Sequence, residues 1–239
     1  NSKIEGGKNI EQKSQQLRDY ITPFFKNMII NNITSFDIER YKSHIVKEVE
    51  LSSTTANRHL AIISHMFNKL LDWRIIDKIP FRVKKFKETA GRITYLTSEQ
   101  IQDILYFAKQ DQNPYAFPFI LIGLDTAMRR AEILTIKLEN IDIPNRTIYI
   151  PKAKAGARVQ PISDNLAEFL EEYVKTVDDN QPWLFPSVKS KDGHFVNIEK
   201  PFRRVVKAAG LDPKEIIRHT LRHTAISHLM QAGVDIATI

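Results

Sequence analysis

Three basic side chains recur at one-turn spacing near the carboxyl end: His219, Arg222 and His223. Residues three and four apart share one face of an α-helix, so a helix that begins by His219 brings the two imidazoles and the guanidinium together. Such a face is positive and exchanges protons near neutrality, which suits an anionic substrate with a proton to move. Two other readings use the same residues. Zinc accepts His at i,i+4, but the segment lacks the Glu of a His-Glu-x-x-His site and the chain has no Cys to complete a ligand shell. A structural role, with the imidazoles packed and Arg222 paired to an acid, needs nothing beyond the helix.

A second group lies some ninety residues earlier. Arg129 and Arg130 follow the apolar run Tyr115–Leu124 through Asp125, Thr126, Ala127 and Met128, and Glu132 stands three residues after Arg129. A charge set beside a core segment needs a partner, which Glu132 supplies while fixing the plane of the Arg129 guanidinium. As a helix-surface ion pair this is worth little. As an oriented fork of N–H donors it suits a phosphate better than a lysine does.

These groups need elements to hold them. The run Tyr115–Leu124 is apolar on all sides and predicts a core helix. Thr97 with Gln100 forms a capping box that opens a helix through Ala108. Segments 146–151 and 157–162 are rich in β-branched residues and predict a hairpin with Gly156 in its turn. Helices are expected near 165–177, 201–209 and 220–232, the last stopped by Gly233. In the first part of the chain Leu17, Ile21, Phe24 and Met28 recur at helical spacing, interrupted by Pro23. Thr34 and Asp37 cap a second helix, and Leu60, Ile63, Phe67 and Leu70 stripe a third, whose caps are Ser52, Ser53 or Thr54. Asn57 and Arg58 sit in its first turn, where the outward N–H groups favour an anion; a capped surface helix is the simpler account. The fold class is mainly α with a small antiparallel β-sheet. The pattern divides into a helical domain over 1–81, a basic connector over 82–95 and a larger domain over 96–239.

Composition sets the bounds on function. The 239 residues are 42% hydrophobic and 26% charged, which fits a packed core and excludes a collagenous or largely disordered chain. The absence of Cys removes disulfides and thiolate nucleophiles and fits a reducing cytoplasm. The apolar run at 115–124 is about half of the roughly 20 residues a membrane span needs, so no membrane partner is expected. The first residue is Asn and the leading segment is polar, so both ends read as cuts in a longer protein. The net charge of +7 lies wholly in residues 1–92, where 17 Lys/Arg face 10 Asp/Glu. Within that part Lys78, Arg82, Lys84, Lys85, Lys87 and Arg92 meet a single acid, Glu88. Such a run serves nucleic acid, an acidic protein or an anionic membrane surface, and its place between two domains favours a polyanion wrapped by a connector.

The boxes themselves are specific. Thr126-Ala-Met-Arg-Arg-Ala-Glu-Ile-Leu resembles the first catalytic box of the tyrosine recombinases, the phage integrase family, and His219-Thr-Leu-Arg-His-Thr-Ala resembles their His-x-x-Arg box. Lys154-Ala-Gly, in the predicted hairpin, is similar to the family's lysine turn. Leu184-Phe-Pro, Ala209-Gly-Leu and Gln231-Ala-Gly-Val-Asp-Ile-Ala-Thr-Ile agree further, and the run from Ser53 to Pro80-Phe81 is similar to the family's core-binding domain.

The resemblance implies a helical, SAM-like core-binding domain followed by a recombinase catalytic domain. It also implies site-specific recombination: a tyrosine attacks a DNA phosphodiester, forms a 3′-phosphotyrosyl link and frees a 5′-hydroxyl. On this resemblance Arg129 and Arg222 stabilise the non-bridging oxygens, Lys154 protonates the leaving 5′-oxygen, His219 assists proton transfer and Glu132 supports Arg129. Lys152 is the near alternative to Lys154. Double-stranded DNA is the implied partner, gripped by both domains, with Asn57 and Arg58 at bases or phosphates and Lys84, Lys85, Lys87 and Arg92 on the backbone. No cofactor and no metal is implied. A homotetramer on DNA is expected of the parent, and a monomer of this chain alone. Two features depart from the family: Ala127 stands at a usual Gly position, and all seven tyrosines precede Arg222. The nucleophile is therefore expected beyond Ile239, leaving the fragment inactive. The rival readings are a non-catalytic DNA-binding regulator of the same fold, a metal-dependent phosphodiesterase built on His219 and His223, and a type IB topoisomerase.

Overall fold

The computed structural model describes residues 10–88, 94–153, 156–178 and 180–234. It divides into two compact units, Asn1–Gly91 and Arg92–Ile239, each with its own core.

The first unit opens with α1 (Ile10–Gln16), a π-helical turn (Leu17–Ile21) and α2 (Thr22–Phe25). Pro23 does not break this stretch. It lies in the first turn of α2, and the widened turn just ahead of it accommodates the missing N–H and the bulk of the ring. Next comes α3 (Ser35–Lys47), whose capping box is the expected one: Thr34 N–H donates to Asp37 at 2.9 Å and Asp37 N–H to Thr34 Oγ1 at 3.4 Å. The following helix, α4 (Ser53–Asp72), is capped by Ser52, whose hydroxyl accepts from Thr55 N–H. Its stripe of Leu60, Ile63 and Phe67 is fully buried and meets Ile38, Tyr41 and Ile45 of α3 in one core.

Residues 82–88, expected as the start of the connector, pack on this unit instead. Val83 and Phe86 lie against its core, and Lys42 Nζ sits 4.8 Å from the Phe86 ring centroid. Asn57 Nδ2 donates to Phe86 O and to Glu88 Oε1, while its Oδ1 accepts from Phe86 N–H.

The second unit begins at α5 (Ser98–Gln110), opened by the Thr97–Gln100 capping box. The core helix α6 (Ala116–Thr126) follows, then the short α7 (Arg130–Leu134). Three antiparallel strands come next in sequence order: β1 (Ile141–Asp142), β2 (Thr147–Ile150) and β3 (Arg158–Pro161). The hairpin is where the β-branched pattern put it, with Gly156 at φ +109° in the turn. The two-residue β1 has no periodic signal and went unforeseen. Helices α8 (Asp164–Val174), α9 (Glu199–Ala208) and α10 (Arg218–Gln231) complete the unit.

The side-chain-free Gly123 lets α10 approach α6 closely: a Cβ built there would lie 3.1 Å from Leu221 Cδ1. The segment before α5 is fastened to α10 as well. Leu96 N–H donates to Thr224 Oγ1 at 2.9 Å, and His228 Nε2 donates to Leu96 O at 3.0 Å.

Candidate functional site

Three segments meet at the site: the junction of α6 with α7, the start of α10 and the inward face of β3. At the first, Ala127 ends α6 in the left-handed region, at φ +53°. The small-for-small change from Gly predicts tolerance of an L-residue there if the backbone angle suits it. The angle is one that Gly adopts freely and Ala only with strain. That turn reverses the chain and sets Arg129 immediately before α7. Glu132, one turn into α7, accepts the Arg129 N–H at 2.9 Å through Oε2 and Arg129 Nη1 at 3.0 Å through Oε1. The i,i+3 pairing read from the sequence is therefore both a helix cap and an ion pair.

Glu132 is buried, and its carboxylate takes a second cation that no sequence spacing predicts. Arg158, on β3, donates Nη1 to Oε1 at 3.2 Å and Nη2 to Oε2 at 2.9 Å. In the sheet register Arg158 stands opposite Ile150, on the face that β2 turns toward the core. The one local signal was a cation at an inward strand position; the partner, 26 residues away, left no trace in any spacing. Burial pushes the Glu132 carboxyl up, but hydrogen bonds from Arg158 and Arg129 outweigh it and hold the pKa down to about 2.

At the second segment α10 begins at Arg218, one residue before the His-x-x-Arg box, so the box occupies its first turns as the spacing required. The rings of His219 and His223 meet edge to face at 4.7 Å between centroids. Arg222 Nη1 donates to the Ala127 carbonyl, joining the box to the end of α6 across 95 residues. Burial lowers the pKa of Arg222, as does the like charge of Arg129, while Glu132 acts in the other direction. Burial also lowers His219, reinforced by His223, Arg222 and Arg129, so its imidazole is held below its ordinary value. Direct contacts join the two boxes: Glu132 holds Arg129, and Arg222 holds the carbonyl two residues before it.

The open space beside them is a cleft of about 230 Å³ lined by Met128, Arg130, Ile217, Arg218, His219 and Arg222. Arg218 also pairs with Glu199 of α9. A cleft with this excess of guanidinium groups has the chemistry to receive an oxyanion. Among the described residues no three His, Asp or Glu side chains are grouped to hold a metal ion. No tyrosine is among the residues lining the cleft.

Lys154 and Arg92 lie outside the described residues. The near alternative, Lys152, is exposed in the segment after β2. In the first unit Arg58, Lys84, Lys85 and Lys87 are exposed. Asn57 is buried, and both ends of its amide are bonded to Phe86 or Glu88, so it holds the basic segment in place.

A sequence profile described as "Phage integrase family" matches residues 94–239. A tyrosine recombinase of Pseudothermotoga lettingae is 27% identical over 215 residues, covering 88% of this chain and 73% of that protein. A shufflon-specific DNA recombinase of Escherichia coli is 25% identical over 239 residues; the match takes in 94% of this chain and spans 59% of its relative's length. Among solved structures, the Tn1549 transposon integrase in complex with circular intermediate DNA superposes with a TM-score of 0.77 at 19% identity, covering 99% of this chain and 87% of that one. The XerH recombinase bound to difH substrate gives 0.69 at 18% identity, covering 95% and 68%. The last two likenesses are of fold. Since the profile spans more than half of the sequence and takes in both boxes that meet at the cleft, this chain belongs to the phage integrase family.

Proposed function

We propose that the chain is the DNA-binding and phosphate-activating part of a site-specific DNA recombinase that cuts and rejoins strands through a 3′-phosphotyrosyl intermediate. One observation carries the reading: Arg222 of one box donates to the carbonyl of Ala127, two residues before Arg129 of the other, and residues of both boxes line one cleft with His219. In this reading the two guanidinium groups grip the non-bridging oxygens of the scissile phosphodiester and stabilise the charge that builds as a tyrosine oxygen attacks phosphorus. The P–O5′ bond breaks as the P–O(Tyr) bond forms. The leaving 5′-oxygen takes a proton from Lys154, and the tyrosine proton passes toward His219, which burial keeps neutral and receptive. One phosphodiester is exchanged for another, so the strand can be resealed by the reverse step with no external energy source.

The attacking tyrosine in this reading follows Ile239 in the complete protein, because the seven present are all upstream of the box and none lines the cleft. The chain alone then binds DNA without cutting it, and the complete protein works as four copies on two duplexes. Arg58, Lys84, Lys85 and Lys87 of the first unit supply backbone contacts. Their exposure supports this role, and Asn57 acts indirectly by fixing the segment that bears the lysines.

The test uses the product of the complete reading frame with a nicked duplex, from which the freed 5′ piece diffuses away and leaves the covalent adduct trapped. Arg129→Ala or Arg222→Ala should lower trapping by about a hundredfold or more while the protein stays folded. Specific DNA binding with no adduct from the complete product would instead establish the regulatory reading. Trapping undiminished in both variants would mean that other groups perform the chemistry.

A further inference from the structure

Arg158 belongs to neither box, yet it makes a two-pronged ion pair at the centre of the site. The Glu132 side chain is only 5% exposed, and a carboxylate so placed stays ionised through its partners. If Arg129 were the sole partner, the pair would be close to neutral, and the guanidinium meant for a phosphate would already have its counterion. Arg158 changes that balance. Its fork takes both carboxylate oxygens, whereas the Arg129 side chain gives up one N–H, from Nη1. The three groups together keep one net positive charge. Among the described residues no protein acceptor takes Nε or Nη2 of Arg129, and its side chain is 42% exposed.

We infer that Arg158 is a positioning residue for the phosphoryl chemistry: by engaging Glu132 through both oxygens, it lets Arg129 present an oriented and uncancelled positive charge to the scissile phosphate. The inference rests on the recombinase reading for its substrate. Arg158 itself touches no phosphate. It acts through Glu132, and its seat on β3 makes that action rigid.

A purely structural role, neutralising a buried acid, would make the same contacts, so the test must read the phosphate. In the complete protein Arg158→Gln should slow adduct formation on an ordinary phosphodiester by about tenfold, less than the roughly hundredfold expected for a donor that touches the phosphate. On a methylphosphonate linkage, which lacks one of the negative oxygens, less cationic charge is needed, and the deficit should shrink to about threefold or less. Equal deficits on the two linkages would overturn the inference and leave Arg158 a structural residue. Arg158→Lys keeps the charge without the fork and should recover part of the rate, which guards against a Gln variant that folds poorly.

A second measurement separates this idea from the recombinase reading, since it needs no cleavage. Inorganic phosphate is titrated into the 239-residue chain and followed through the Arg129 Nε–H resonance. Arg158→Gln should weaken binding about fivefold, within the range of a charge-assisted hydrogen bond. Unchanged affinity would overturn the inference even if adducts form. A weakened affinity would uphold it even if the complete protein never cuts DNA.

Discussion

Arg222 bonds to the carbonyl of Ala127, a residue in the left-handed region, so one strained backbone angle underlies the placement of both Arg129 and Arg222. Ala at φ +53° costs about 1 kcal/mol relative to a residue at ease there. Ala127→Gly is therefore expected to raise the stability of the second unit by about 1 kcal/mol, read as a higher denaturant midpoint with an unchanged slope. A loss of stability would show that the Ala127 methyl, which is buried, packs better than the angle is strained. The pairing of Arg129 with Glu132 was readable because it is local: three residues apart and facing on one turn. Arg158 was not, because a buried acid chooses its second partner by proximity in the folded chain, which spacing does not encode.

At the scale of elements, the caps and the hairpin were the most legible features. Thr34–Asp37, Thr97–Gln100 and Gly156 each satisfy a backbone need within four residues, so the sequence carries the whole cause. The π-helical turn before Pro23 and the inward amide of Asn57 were not legible, since both depend on what packs against them. The Asn57 hydrogen bonds turn residues 82–88 from a loose connector into a fixed basic ribbon on α4. In the proposed function this ribbon meets DNA backbone. Replacing Lys84, Lys85 and Lys87 together by Gln should weaken binding uniformly across sequences and reduce the slope of log affinity against log salt by roughly one for each lysine that contacts a phosphate. An unaltered slope would remove these lysines from the interface. Asn57→Ala should lower affinity with the slope kept nearer its original value, because the charges remain and only their placement is lost.

At the scale of the whole molecule, two cores imply two responses to solution conditions. His59 is buried in the first unit with Nδ1 2.8 Å from Tyr41 Oη, and among the described residues no partner takes its Nε2. Burial lowers its pKa below the ordinary 6.5, so the unfolded chain binds the proton more readily than the folded unit does. The stability of that unit is thus whole above about pH 6.5 and falls as the pH drops below it. Thermal melts between pH 7.5 and 5.5 should show the first unit softening, and His59→Phe should flatten the change. A transition that moves equally in His59→Phe would place the titration elsewhere. The mainly helical class with a small antiparallel sheet was visible from pattern, because helical and strand periodicities are local properties of the sequence. The docking of 82–88 on the first unit was hidden by its charge, which masks the apolar contacts of Val83 and Phe86.

Gly123 gives the close approach of α10 to α6 a genetic meaning. The gap between the box that ends α6 and the box that opens α10 is set by a missing methyl group, so adding one should act as a wedge. Gly123→Ala presses a methyl on Leu221 Cδ1, which must give by a few tenths of an ångström, and whatever strain that side chain does not absorb falls on the helix that carries His219 and Arg222. In the proposed function the outcome to look for in the complete protein is a heat-sensitive allele: ordinary DNA retention, but strand cutting that fades at raised temperature before the protein melts.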